Sequence, residues 1–95
     1  MPRGWPPLEL REVIQILTEL GFKYDGSKGG HDFYTATKNG RKHKVTVDPK
    51  NAPFDEFLLQ SMCSQAGSNR KEFYGATKAT ALKIFKGKKA DPESV

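Results

Sequence analysis

The sequence predicts an α+β fold in which a three-stranded antiparallel sheet carries helices on one face. Three observations predict it. Apolar residues near the N-terminus recur at spacings of three and four, as in an amphipathic helix. Two alternating stretches flank Asn39-Gly40, a dipeptide typical of tight hairpins. A second amphipathic segment and a shorter helical segment follow, which gives the order expected of a two-layer sandwich.

The chain is long enough for one domain, with 95 residues. Residues 1–7 contain three prolines and are predicted to form an irregular arm. A single domain is predicted over residues 8–85, and a disordered tail over residues 86–95.

The first helix is predicted over residues 8–20 and ends at Gly21. Its apolar side is formed by Leu10, Val13, Ile14, Leu17 and Leu20. Phe22 to Asp25 is predicted to be the first strand. Gly26 to Gly30 contains three glycines in five residues, which predicts a turn or loop.

The hairpin strands are predicted at His31 to Thr37 and at Lys42 to Asp48. A two-residue Asn39-Gly40 loop makes the numbers of facing residues add up to 79, and side chains alternate between the two faces. One face then carries the pairs Thr37–Lys42, Thr35–Lys44, Phe33–Thr46 and His31–Asp48. The other face, predicted to lie under the helices, carries Ala36–His43, Tyr34–Val45 and Asp32–Val47.

The second helix is predicted to have Pro53 in its first turn, with Asp55 and Glu56 favoured by the helix dipole, and to end at Gly67. Its apolar side is formed by Phe54, Leu58, Leu59, Met62, Cys63 and Ala66. Asn69 to Glu72 has the N-cap pattern of a third helix, predicted over residues 70–85.

The charge of the chain favours anionic partners. The net charge is +5 and the sequence pI is about 9.4. Residues 23–50 carry seven Lys/Arg against three Asp/Glu, a net +4, and residues 70–89 carry seven against one, a net +6. Two concentrated basic stretches are typical of nucleic-acid binding, although two solvated surfaces would also account for them.

Cysteine content and hydropathy indicate a cytoplasmic protein. The one cysteine, Cys63, excludes an intramolecular disulfide and is predicted to be a small core residue. No stretch approaches the roughly 18 apolar residues of a membrane span, and the N-terminus lacks the apolar region of a secretory signal.

The polar face of the hairpin is suited to RNA. Phe33 stands there among basic residues, so that a base could stack on its ring while Lys42 and Lys44 neutralise phosphates. A plain solvated sheet face with one phenylalanine at its edge is the alternative interpretation of the same pattern.

His31 is the strongest candidate for chemistry. It follows Gly29-Gly30, where a substrate backbone could approach closely, and Lys28 is near it in sequence. In the predicted register Asp48 could hold one ring nitrogen and leave the other to move a proton during attack of a 2′-hydroxyl on phosphate. An ordinary exposed histidine is the alternative. His43 is predicted to be structural.

Other kinds of site have little support in the sequence. Two histidines and one cysteine, widely spread, do not form a zinc-binding pattern. Gly26-Ser27-Lys28 lacks the spacing of a P-loop, and there is no nucleophile elbow. We therefore predict no metal and no cofactor.

Five segments, in order, resemble the HicA-type (YcfA-like) toxins of toxin–antitoxin systems. They are Arg11 to Leu17 through Leu20-Gly21-Phe22, Lys28-Gly29-Gly30-His31-Asp32-Phe33-Tyr34, Lys44-Val45-Thr46-Val47, Ser61 to Gly67, and Glu72-Phe73. The chain differs from the family pattern at Gly30, where serine is usual, at Asp48, which stands between Val47 and Pro49, and at Leu58 and Gln60.

The resemblance implies a fold like that of double-stranded-RNA-binding domains, with the order helix, three strands, helix. It implies a ribosome-independent mRNA endoribonuclease with His31 as its catalytic residue. It also implies a HicB-type antitoxin that masks the site, with the toxin a monomer alone and part of a hetero-oligomer with the antitoxin.

The RNA-binding residues predicted from these patterns are Lys28, Gly29, Gly30, Phe33, Lys42 and Lys44, and Asp48 is the predicted orienting group for His31. Two other functions fit the same sequence. One is a non-catalytic RNA-binding module of the same fold, and the other is an inactive toxin relative that acts only through a protein partner.

Overall fold

The computed structural model of the protein describes residues 5–85. Its elements are α1 (Leu10–Glu19), β1 (Lys23–Lys28), β2 (His31–Lys38), β3 (Arg41–Val47), a 3-10 turn (Pro49–Asn51), α2 (Glu56–Gln65), α3 (Arg70–Gly75) and α4 (Lys78–Phe85). The strands form one antiparallel sheet in the order β1-β2-β3. The predicted fold class is confirmed. The predicted tail and the first four residues of the predicted arm lie outside the described residues.

Helix α1 begins two residues later than predicted. Leu8 instead forms an antiparallel bridge with Phe54, whose N–H donates to the Leu8 carbonyl at 2.8 Å. The N–H of Glu9 donates to the Glu12 carboxylate at 2.8 Å and so satisfies one free donor at the helix start. Gly21, with φ of +94°, ends the helix as predicted.

Strand β1 continues well beyond the predicted Phe22 to Asp25, and the predicted loop shrinks to Gly29-Gly30. Both glycines have positive φ, +61° and +86°, so two residues suffice to reverse the chain. The register of β1 against β2 shifts between Tyr24 and Ser27, and this irregularity lets the strand pass Gly26, which has φ of +105°.

The β2–β3 register is the predicted one. Asn39 and Gly40 have φ of +51° and +78°, which a two-residue hairpin turn requires. Facing residues pair from Asp32–Val47 to Lys38–Arg41. Tyr34, Val45 and Val47 are buried, as predicted for the helix-covered face.

The core lies between this sheet face and the helices. It is one cluster of buried side chains from every layer, formed by Leu8, Val13, Ile16, Leu17, Phe22, Tyr34, Val45, Val47, Phe54, Leu59, Met62, Cys63, Ala66, Phe73 and Tyr74. Cys63 is buried as predicted, and burial raises the pKa of its thiol, which disfavours the reactive thiolate.

Helix α2 begins later than predicted, so Pro53 and Phe54 lie outside it. Asp55 is the N-cap, and its carboxylate accepts a hydrogen bond from the Leu58 N–H at 3.0 Å. Phe54 is still buried, because its backbone pairs with Leu8 and directs the chain under the core.

The predicted third helix is two helices. Asn69 caps α3 as predicted, accepting from the Glu72 N–H at 2.8 Å. The prediction of one continuous helix is wrong. The Thr77 hydroxyl accepts a hydrogen bond from the Thr80 N–H at 3.1 Å, and this contact marks the start of α4. The Thr80 hydroxyl also donates a hydrogen bond to the carbonyl of Tyr74 at 2.6 Å, which connects α4 to α3 across the break.

The described part of the N-terminal arm packs on α3. Trp5 meets the ring of Tyr74 edge to face, with centroids 6.1 Å apart. The Tyr74 hydroxyl donates to the Pro6 carbonyl at 2.6 Å. Residues 5–85 contain no helix with the length and apolar content needed to cross a membrane.

Candidate functional site

His31 is the first residue of β2 and follows the Gly29-Gly30 turn directly. Its side chain is 48% exposed, and its Nδ1 lies 3.7 Å from Oδ2 of Asp48. The two residues are therefore neighbours, as the hairpin register predicted. The distance suits an ion pair when the ring is protonated and is too long for a good hydrogen bond.

The Asp48 carboxylate is held by the backbone that follows β3. Its Oδ1 accepts a hydrogen bond from the Lys50 N–H at 3.1 Å, which caps the 3-10 turn. The second oxygen faces the imidazole. One ring nitrogen of His31 is thereby placed beside a carboxylate, while the side chain as a whole is half open to solvent.

A cleft of about 230 Å³ opens beside these two residues. It lies where the free edge of β3, the 3-10 turn and α2 meet. Its lining is His31, Thr46, Asp48, Asn51, Phe54, Leu58, Ser61, Met62 and Gln65. Of these, sequence reasoning placed only His31 and Asp48 at a site.

Gln65 fixes the wall of the cleft to the sheet. Its side-chain carbonyl accepts a hydrogen bond from the Thr46 N–H at 3.0 Å, a donor on the free edge of β3. Because the oxygen of the amide is committed to the strand, the orientation of the whole amide is set, and its NH₂ group carries the remaining donors.

Spacing along α2 groups the residues of this wall on one side of the helix but does not show that this side lines a cleft. Leu58, Ser61, Met62 and Gln65 recur at intervals of three and four, so they share one side of the helix. The apolar pattern assigned Leu58 and Met62 to the core and gave no role to the two polar residues. Only the packing of α2 against the edge of β3 shows that this side faces a cleft.

The predicted cations lie at different distances from His31. Lys28 is directly opposite His31 in the sheet register and is exposed. Lys44 opposes Thr35, four residues along β2, and its Nζ lies 4.3 Å from the centre of the Phe33 ring. Lys44 therefore covers one face of that ring. Lys42 opposes Thr37, about 20 Å along the strand from His31, and does not share its surroundings.

Lys50 is a cation that sequence reasoning missed. A Cβ atom added to Gly30 would lie 3.8 Å from Lys50 Nζ, so the ammonium group sits beside the glycine turn. Neither helical nor strand spacing in the sequence indicates a role for Lys50, because it lies in the short 3-10 turn after β3. Its position depends on where that turn brings the chain back toward the start of β2.

The other histidine lies elsewhere. His43 is half-buried, and its ring contacts the end of α2, where a Cβ on Gly67 would come within 2.8 Å of Cε1. Within residues 5–85, no group of three or more His, Cys, Asp or Glu side chains is placed to hold a metal ion.

The arrangement is suited to moving a proton at an anionic ligand. An imidazole can take up or release a proton near neutral pH. Lys28, opposite His31 in the sheet register, and Lys50, beside Gly30, provide positive charge near the glycine turn, and the cleft provides a partly apolar recess next to the ring.

The sequence model of a protein family described as the HicA toxin of bacterial toxin–antitoxin systems matches residues 10–68. The matched segment is more than half of the chain and runs from the start of α1 past the end of α2. It includes His31, Asp48 and every residue that lines the cleft. No curated protein and no solved structure gives a significant match to the chain.

Proposed function

Since the chain belongs to the HicA toxin family of bacterial toxin–antitoxin systems, we propose that it is an endoribonuclease that cleaves mRNA without ribosomes and without a metal ion, using His31 as its catalytic residue. The observation that carries the proposal is the half-exposed imidazole of His31, with a held carboxylate 3.7 Å from one nitrogen. The family agrees with the resemblance seen in the sequence.

The proposed reaction is attack of a ribose 2′-oxygen on the adjacent phosphorus. His31 removes the proton of the 2′-hydroxyl as general base. The P–O5′ bond breaks, and the 5′-oxygen takes a proton from the imidazolium so formed or from water. The products are a 2′,3′-cyclic phosphate and a 5′-hydroxyl end. Asp48 acts as a positioning residue that favours one ring orientation.

Basic residues near the ring bind the RNA backbone in this proposal. Lys28 directly precedes the glycine turn and Lys50 lies beside Gly30, and Gly29 and Gly30 have no side chains to block a close phosphate. Lys44 binds a phosphate farther along the strand, and once it does so it leaves the Phe33 ring open to a stacked base.

The proposed partner besides mRNA is a HicB-type antitoxin that masks this surface. We propose that the toxin is a monomer when alone and part of a hetero-oligomer with the antitoxin, and that both act in the cytoplasm, where mRNA is available. An acidic antitoxin segment would complement the lysines and meet them quickly at low salt.

The experiment is incubation of a purified mRNA with the purified protein, without ribosomes, followed by chemical analysis of the new ends. We expect 2′,3′-cyclic phosphate and 5′-hydroxyl ends. New 3′-hydroxyl and 5′-phosphate ends would contradict the proposed mechanism. RNA that is bound but stays intact would indicate the non-catalytic binding module, and RNA that is neither bound nor cleaved would indicate a protein that acts only through its partner.

A further inference from the structure

We propose that the cleft beside His31 binds one unpaired base of the RNA, next to the phosphate that is cleaved, and so selects the cleavage position. This inference rests on the proposed endoribonuclease function and adds to it a base-binding site formed by the edge of β3, the 3-10 turn and one side of α2.

The size and lining of the cleft fit a single base. Its volume of about 230 Å³ lies below the roughly 300–1,000 Å³ of sites for drug-sized ligands. Phe54 and Met62 are buried and Leu58 is half-buried, which gives the cleft an apolar floor. Exposed polar side chains, Ser61 and Gln65, stand on the α2 side. An apolar floor with a few polar groups is typical of a ligand site.

The polar groups match the edge of a base. The carbonyl of Gln65 is held by the Thr46 N–H, so its NH₂ group is left to donate. Each nucleobase presents nitrogen or oxygen acceptors that such a donor can bind. The Ser61 hydroxyl and the Asn51 amide can both donate and accept, so they can bind the mixed edges that bases present. In a duplex these base edges are already paired, which restricts the cleft to unpaired bases.

The position of the cleft connects the base to the chemistry. His31 and Asp48 line the same cleft as Gln65, so the ribose of a bound base lies at its mouth, beside the imidazole. The Lys50 ammonium group next to Gly30 can then bind the phosphate attached to that ribose. The positive charge of Lys50 favours RNA, in which each base is linked to phosphates, over an apolar peptide side chain as the occupant of the cleft.

The test uses the wild-type protein and a short 2′-O-methyl RNA, which keeps all bases but lacks the attacking hydroxyl. An abasic residue is moved through the sequence one position at a time, and binding is measured by fluorescence anisotropy. We expect one position at which loss of the base weakens binding about tenfold, the size of one lost stacked or hydrogen-bonded base. Equal binding at all positions would overturn the inference.

Two test variants and one control variant locate the effect. Ser61→Phe fills the cleft and is expected to reduce binding of the intact RNA to that of the abasic RNA, without changing the latter. Ser64→Phe, an exposed change on α2 outside the cleft lining, is the matched control and should leave both affinities unchanged. Gln65→Glu keeps the acceptor for Thr46 and removes the two donors, so it should lower the ratio of intact to abasic binding even if Ser61→Phe fails to fold.

Failure of this inference can be distinguished from failure of the proposed function. If the protein cleaves ordinary RNA but binds all abasic RNAs equally, the cleft has another occupant, such as an antitoxin side chain, and only the inference is wrong. If one abasic position weakens binding and Ser61→Phe removes the difference, but no RNA is cleaved, base binding is supported and the proposed catalysis is wrong.

Discussion

The two ends of the β2–β3 hairpin carry similar side chains in different surroundings. Each end has a histidine and nearby lysines. At the Asn39-Gly40 end, His43 packs against Gly67 and Lys42 is exposed to solvent. At the other end, His31 faces Asp48 and the cleft under α2. Basic residues and an imidazole therefore do not define a site by themselves, and what distinguishes the His31 end is the Asp48 carboxylate and the cleft between α2 and the edge of β3.

The largest expected effect separates the two histidines. His31→Ala should reduce RNA cleavage by about 10²–10⁴-fold, the usual contribution of a general base. The melting temperature should change little, because the side chain is half exposed. His43→Ala is the matched control and should retain cleavage. Initial cleavage rates on one RNA and thermal melts of both variants check this prediction. Undiminished cleavage by folded His31→Ala would contradict a catalytic role for His31 and, with it, the functional difference between the two ends of the hairpin.

A smaller effect tests the carboxylate at the His31 end. Asp48→Asn keeps an acceptor for the Lys50 N–H but removes the charge beside the ring. We expect kcat to fall about tenfold, equal to about 1.4 kcal/mol, with KM nearly unchanged. Asp32→Asn, on the other face of the sheet, is the control. A change in KM alone would mean that Asp48 contributes to binding and does not position His31.

Charge reversals compare the lysines along the hairpin. Lys28→Glu and Lys44→Glu should weaken RNA binding several-fold and lower the slope of log affinity against log salt by about 0.7 for each lost phosphate contact. They should also slow association with the antitoxin. Lys42→Glu, about 20 Å from His31, should affect cleavage least. Both affinities are measured at two salt concentrations. If RNA binding falls while antitoxin binding is unchanged, the two partners use different surfaces.

The smallest expected effect is that of a chelator. The described residues offer no cluster of ligands for a metal ion, and the proposed reaction needs none. Cleavage rates in excess EDTA should equal those in its absence. A strict requirement for added magnesium or manganese would contradict the proposed reaction at the His31 end.

The local parts of the fold could be predicted from the sequence. Asn39 and Gly40 accept positive φ at low cost, so they set the hairpin register, and alternation then placed Tyr34 and Val45 in the core. The break between α3 and α4 was missed because a side chain, the Thr80 hydroxyl, competes with the helix for the Tyr74 carbonyl.

The candidate site was predicted only where it depends on the hairpin. The register brought His31 next to Asp48, since both positions follow from counting along two strands. The cleft depends on how α2 packs against the free edge of β3, and the Gln65–Thr46 hydrogen bond spans 19 residues. Such packing is tertiary, so Ser61 and Gln65 had no distinguishing local pattern.

The hydrogen bond from Tyr74 to Pro6 also limits when the N-terminal arm can dock during synthesis. Its partners are 68 residues apart in the chain. During translation the N-terminus emerges first, at about 5–20 residues per second, and Tyr74 follows every residue of the cleft. Pro6 therefore cannot make this contact while β2, β3 and α2 are being synthesised. This contact can form only after every residue of the candidate site has been synthesised.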